Sequence, residues 1–133
     1  HSNGVAETVR RLVNSFPQEE RASKVIDIVE TLRLIVWQKL VPTTDGKRTP
    51  LREYLIFNEQ VRDRLLDCDH ETISQVTREI VKEQGLTMLH DAQRKYDAGL
   101  ISKSILNSIS KLSQGQDKDL AVGQDDTQLP DNL

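Results

Sequence analysis

One stretch restricts the possible folds more than any other: LRLIVWQKLVPTTDGKRTPLREYLIF, residues 32–57. Its first half loses the 3.6-residue spacing of a helix and alternates, which points to a strand over about 36–42. Asp45-Gly46 follows, a tight-turn pair because glycine accepts a positive φ. The returning run then sets Leu51, Glu53, Leu55 and Phe57 on one face against Arg52, Tyr54 and Ile56 on the other. Pro50 sits near the start of that second strand, about 49–57, where a missing N–H does least harm. A β-hairpin is therefore expected, and a hairpin alone is too small to be stable, so other elements must pack on it.

Those other elements read as helices. Ser2 or Asn3 can cap a first helix whose apolar stripe is Val5, Val9, Leu12, Val13 and Phe16. Pro17 stops that helix and suits the first position of the next, whose stripe is Ala22, Val25, Val29, Leu32 and Val36, passing into the strand near Val36. Beyond the hairpin, Asn58 can cap a helix with Val61, Leu65 and Leu66, and Ile73, Val76, Ile80 and Val81 mark another that ends at Gly85. Thr87 opens a helix with Leu89, Ala92 and Tyr96, closed by Gly99, and Ser102 caps a last one with Ile105, Leu106, Ile109 and Leu112. No internal repeat is visible.

Charge separates the end of the chain from the rest. Of the formal net charge of −3, residues 113–133 hold −4, with five aspartates against one lysine, leaving +1 for residues 1–112. A segment so poor in apolar residues is expected to stay disordered, because little burial offsets the entropy of ordering. The near-neutral remainder does not predict a phosphate-backbone binder, and no direct nucleic-acid binding is expected. A single cysteine, Cys68, excludes an internal disulfide framework and fits a reducing compartment.

Spacing alone does not make this chain an enzyme. No phosphate-binding loop of the form GxxxxGK followed by Ser or Thr occurs, and neither GxSxG nor HExxH is present. Asp67, Cys68, Asp69 and His70, with His90 downstream, gather metal-ligand side chains, but adjacent residues rarely converge on one ion. A solvated corner with a capping aspartate is the simpler account, and no metal site is assigned. The arginines of VRDRLLD, Arg62 and Arg64, can bind a phosphate or a carboxylate, or can simply form a charged helix face. Trp37 reads as core rather than as a stacking platform, having no aromatic neighbours in a basic surround.

The order of these segments resembles the C-terminal part of the secretion ATPase superfamily, the motors of pilus retraction, type II and type IV secretion, and plasmid conjugation. HSNGVAETVRRLVNSFP, residues 1–17, resembles that family's histidine box, in which a strand ends at a histidine and a helix carries an arginine before Phe-Pro. RLIVWQKLVPTTDGKRTPLREYLIF resembles its hairpin, NEQVRDRLLD its arginine-containing helix after the hairpin, and GLTMLHDAQRKYDAGLIS its closing segment. The hairpin's wording is nearest to the subgroup serving Dot/Icm-type secretion and related conjugative transfer (DotB- or TraJ-like), within the wider PilT/DotB-like group.

The resemblance implies an α/β fold in which this chain is the rear part of a RecA-like P-loop NTPase core. Residues 1–57 would belong to that core, residues 58–112 would be a helical C-terminal subdomain, and residues 113–133 would be an acidic tail. It further implies ATP and Mg²⁺ as cofactors, bound mainly by a part upstream of His1. That part would hold the phosphate-binding loop, which fits a chain starting at histidine rather than methionine. A homohexamer is implied, cytoplasmic and peripheral to a bacterial inner membrane, with secretion or pilus platform proteins as partners. By the same resemblance His1 would sit near the γ-phosphate, with Asn3 either beside it or only capping the helix. Arg11 and Arg62 match family arginines placed for inter-subunit contact or force transmission, although Arg11 could simply pair with Glu7. The isolated chain would be inactive. A competing class, a stand-alone helical module that binds a partner through VRDRLLD or the Tyr96 helix, needs no missing parts.

Overall fold

A computed structural model describes residues 3–122 of the chain. Helix α1 (Val5–Asn14) ends before Pro17, as a residue without an N–H requires. Pro17 does not begin the next helix directly. Its carbonyl accepts from Glu20 N at 2.9 Å, three residues on, which winds a single 3₁₀ turn (Gln18–Glu20) ahead of α2 (Arg21–Thr31). Strands β1 (Leu34–Pro42) and β2 (Arg48–Ile56) then form the expected antiparallel hairpin, in register from Leu34 opposite Ile56 to Pro42 opposite Arg48. Four helices follow: α3 (Glu59–Asp67), α4 (Ile73–Gln84), α5 (Met88–Asp97) and α6 (Lys103–Val122). The caps expected at Asn58, Thr87 and Ser102 are made, to Val61 N at 2.9 Å, His90 N at 3.1 Å and Ile105 N at 3.2 Å.

Alternation along β2 decides where the core sits. Leu51, Glu53, Leu55 and Phe57 are all buried, whereas Arg52, Tyr54 and Ile56 face outward. Two apolar clusters use this inward face. One joins Leu55 and Phe57 to α1, α2, α3 and α4, through Val9, Val29, Val61 and Ile80 among others. The other joins Leu51 and Val41 to α5 and α6, through Met88, Ala92, Leu106 and Ile109. Glu53 lies on β2 between Leu51 and Leu55, so a carboxylate occupies the seam where the two clusters meet.

The outer edge of β2 is closed. Tyr54 and Leu86 exchange backbone hydrogen bonds at 3.0 Å each way. Asp91 Oδ2 accepts from Arg52 N at 2.8 Å, and Lys95 Nζ donates to Pro50 O at 2.6 Å and to Asp91 Oδ2 at 2.8 Å. Gly85 sits where a left-handed helix end is expected, yet its φ is −96°. A Cβ there would stand 2.4 Å from Tyr54 O, so the glycine serves the close approach of α4 to β2.

The outer edge of β1 pairs with no strand among the described residues. The outward face of the hairpin also exposes Leu34, Val36, Leu40, Tyr54 and Ile56.

The expectation of disorder from Ser113 fails over ten residues, since α6 runs on to Val122. Composition hid a spacing. Ser113, Asp117 and Leu120 share one helical face; Ser113 and Leu120 are buried, and Asp117 pairs with Arg78 and Lys82 at 2.9 and 3.0 Å. Residues 123–133 of the expected tail lie outside the described residues. No helix among the described residues is long and apolar enough to cross a membrane.

Candidate functional site at the start of helix α1

His1, the first of the expected site residues, lies outside the described residues, and the site is therefore approached from Asn3. Asn3 is exposed and its side chain caps nothing; its backbone N–H donates to Glu7 Oε2 at 3.1 Å, an acid one turn along reaching back. Ser2, the other expected cap, lies outside the described residues, and a residue distant in sequence binds the first turn. Glu53 Oε2 accepts from Val5 N at 2.8 Å, closing the first turn of α1 from the hairpin. Gly4 makes this possible. Its φ is +121°, and a Cβ would fall 2.4 Å from Glu53 Oε2.

The same carboxylate has two further donors. Glu53 Oε1 accepts from Met88 N at 3.1 Å and from Arg78 Nη1 at 3.2 Å, with Glu53 only 1% exposed. Arg78 continues to α6, donating to Ser113 Oγ at 2.9 Å and to Asp117 Oδ1 at 2.9 Å. A buried charge is tolerable only when paired and fully hydrogen-bonded, and this pair is both. Burial pushes the Asp117 carboxyl upward, but hydrogen bonds from Arg78 and Lys82 outweigh it and hold the group below its ordinary value.

Beside this network, a cavity of about 240 Å³ opens between the start of α1 and the distal half of α6. Asn3, Glu7, Arg10, Lys111 and Gln116 are among its lining residues. Val5 N–H, a natural phosphate donor at a helix start, is already taken by a carboxylate. One donor of the first turn of α1 is thus already occupied within the chain.

The other expected residues lie elsewhere. Arg11 is on the exposed face of α1. Arg62 is half-buried on α3, and its Nη1 donates to Phe57 O, fastening the helix to the end of β2. Arg64 pairs with Glu83 on the surface. Neither Arg11 nor Arg62 belongs to the Glu53 network.

The Asp67–His70 stretch forms the corner between α3 and α4. No aspartate side chain caps α4; Thr72 N and Oγ1 both donate to the Asp69 carbonyl instead. Burial raises the Cys68 thiol pKa, which makes it less reactive, and no cluster fit to hold a metal occurs among the described residues. Trp37, expected in the core, is half-buried and packs against the edge of the second apolar cluster.

Sequence reasoning noted Glu53 in the inward register of β2 but gave it no role. The signal was there: an acid at an apolar position of an alternating strand needs a buried partner. Arg78 carried no such mark, because besides Glu53 its acceptors are Ser113 and Asp117 on α6, beyond the point where the helix was expected to end.

Comparison with known proteins agrees with this architecture. No family model matches the chain. Among curated proteins, it is 27% identical to the type IV pilus ATPase PilU of Pseudomonas aeruginosa, over 86% of this chain and 36% of that protein. It is 31% identical to a twitching motility protein of Neisseria gonorrhoeae, over 77% of this chain and 28% of that protein.

Among solved structures, the ATPase DotB of Legionella pneumophila matches with a TM-score of 0.80 and 50% identity, over 84% of this chain and 30% of that one. DotB of Yersinia pseudotuberculosis gives 0.79 and 33%, over 86% and 29%. The ADP-bound pilus retraction motor PilT gives 0.67 and 28%, over 80% and 29%. The chain thus spans between 28% and 36% of the length of these relatives. With the fold of the C-terminal part of those ATPases and their hairpin-and-helix order, the chain belongs to the PilT/DotB-like secretion ATPases.

Proposed function

We propose that this chain forms the rear part of a RecA-like core in a homohexameric motor, which hydrolyses ATP to drive a type IV secretion or pilus apparatus. The observation that carries this reading is the 50% identity to Legionella DotB over 84% of the chain, at a TM-score of 0.80. The uncovered edge of β1 and the apolar outward face of the hairpin support it, since a larger core would cover both. Residues 1–57 belong to that core and residues 58–112 to a helical C-terminal subdomain. The motor works in the cytoplasm, peripheral to the inner membrane, against platform proteins of its apparatus. A stand-alone interaction module would account for the helices but not for the likeness to DotB.

Phosphoryl transfer depends on positioning and on neutralising charge around the γ-phosphate, which Mg²⁺ and a phosphate-binding loop supply. No such loop is in this chain, so it contributes contacts rather than the cradle. His1 donates a hydrogen bond toward the γ-phosphate and senses its cleavage, and Asn3, exposed at the same corner, is its neighbour. Arg11 and Arg62 serve inter-subunit contact and force transmission.

The test replaces the matching C-terminal part of Legionella DotB with this chain and measures phosphate release. The graft should turn over ATP, and the isolated 133-residue chain should release no phosphate above background. His1→Ala in the graft should lower kcat more than it weakens nucleotide binding. Phosphate-binding-loop turnover by the isolated chain, or a folded graft with no turnover, would defeat the proposal.

A further inference from the structure

We infer that Glu53 is a positioning residue for the nucleotide-facing corner, fixing the direction in which the chain leaves helix α1 toward His1. The inference rests on the reading above that His1 works beside the γ-phosphate. Glu53 touches no reacting atom in this account and acts through the backbone of residues 3–5.

Three observations carry it. First, the Glu53 carboxylate is bonded to points far apart in the chain: Val5 N at 2.8 Å, Met88 N at 3.1 Å and Arg78 Nη1 at 3.2 Å. The start of α1 is therefore held in fixed relation to α4, α5 and the hairpin. Second, the contact is built into the backbone at Gly4, whose φ of +121° and missing side chain let Oε2 reach the helix. An ordinary helix cap needs neither a residue 48 positions away nor this conformation. Third, Arg78 is anchored independently by Ser113 and Asp117, so the carboxylate is located even without its contact to α1.

Chemistry of the isosteric variant makes the idea testable. A carboxylate accepts at both oxygens, whereas the amide of Glu53→Gln accepts at one and presents N–H at the other. One face must then oppose a donor, either Val5 N–H or the Met88 and Arg78 pair. Arg78 keeps its two acceptors on α6, which favours folding of the variant.

In the DotB graft carrying the whole chain, Glu53→Gln should lower kcat by about ten-fold or more while KM changes little, the mark of displaced geometry rather than lost binding. Combined with His1→Ala, it should slow turnover no further than His1→Ala alone, because both remove one function. Gly4→Ala, which disturbs the corner without touching Arg78, should behave in the same way. In the intact 133-residue chain, the Val5 amide should be protected from hydrogen exchange, and Glu53→Gln should remove most of that protection.

Additive losses in the double variants, or a Val5 amide equally protected in the Glu53→Gln variant, overturn the inference. A His1→Ala graft with unchanged turnover instead refutes the nucleotide reading beneath it, so the two failures can be told apart.

Discussion

The two faces of the hairpin are built from similar residues and treated oppositely. Inward, Leu51, Leu55 and Phe57 are all but removed from water, with a carboxylate set among them. Outward, Val36, Leu40 and Ile56 are each more than half exposed, although their hydrophobicity is comparable. Strand periodicity alone cannot tell such faces apart. The difference comes from what covers each: helices pack on one side and close one edge of β2, while the described residues leave the other side bare. Outward apolar residues thus leave a surface of the kind that packs against another element or chain.

The largest test of that contrast is a pair of truncations. Phe57→Ala should cost about 3–5 kcal/mol in denaturant unfolding, as expected for a buried aromatic. Ile56→Ala, its neighbour on the other face, should change stability by no more than about 0.5 kcal/mol. Equal effects would erase the distinction.

Next in size is the closed edge of β2. Gly85→Ala drives a methyl against Tyr54 O and should destabilise by about 1–3 kcal/mol, with exchange protection lost first at Tyr54 and Leu86. A neutral result would mean that α4 can retreat from the strand.

Smaller in free energy is the pair Val36→Thr and Ile56→Thr, which keeps β-branching and removes apolar surface. The isolated chain should gain or lose no more than about 0.5 kcal/mol and should sediment with less self-association. The same pair should impair the DotB graft, where the face is proposed to be covered. Undiminished activity there would count against that placement.

The smallest effect concerns acid at Asp117, on the inward side. Asp117, set against Arg78 and Lys82, is held below its ordinary value of 3.8, and its stabilisation is therefore complete above that value. It is lost as pH falls through the lower folded value. Denaturation midpoints should be insensitive to this group near neutrality and should decline below about pH 4. Asp117→Asn should flatten part of that decline. Because Asp117 is 39% exposed, screening keeps the contribution small.

Much of the architecture could be read from the residues themselves. Alternation about Asp45-Gly46 set the hairpin, and the Asn58, Thr87 and Ser102 caps marked three helix starts, because these signals act within a few residues. What could not be read depended on long-range partners. The cap of α1 comes from Glu53, 48 positions away, and only the folded hairpin brings it there. Gly85 had the right residue for a helix end and a different reason for being glycine. The distal half of α6 was hidden because its ordering depends on Arg78 and Lys82 of another helix, which composition cannot register. At the candidate site, the alternating register exposed Glu53 to notice, but its donors lie on three other elements.

Helix α6 brings an acidic side chain from its last turns to the buried pair of Arg78 and Glu53. Twenty helical residues reach about 30 Å, and Asp117 lies close to the far end. Arg78 meets Asp117 there directly at 2.9 Å, and the same guanidinium donates to Glu53, whose other oxygen accepts from Val5 N. Only two side chains, Arg78 and Glu53, thus separate that end of α6 from the backbone beside Asn3.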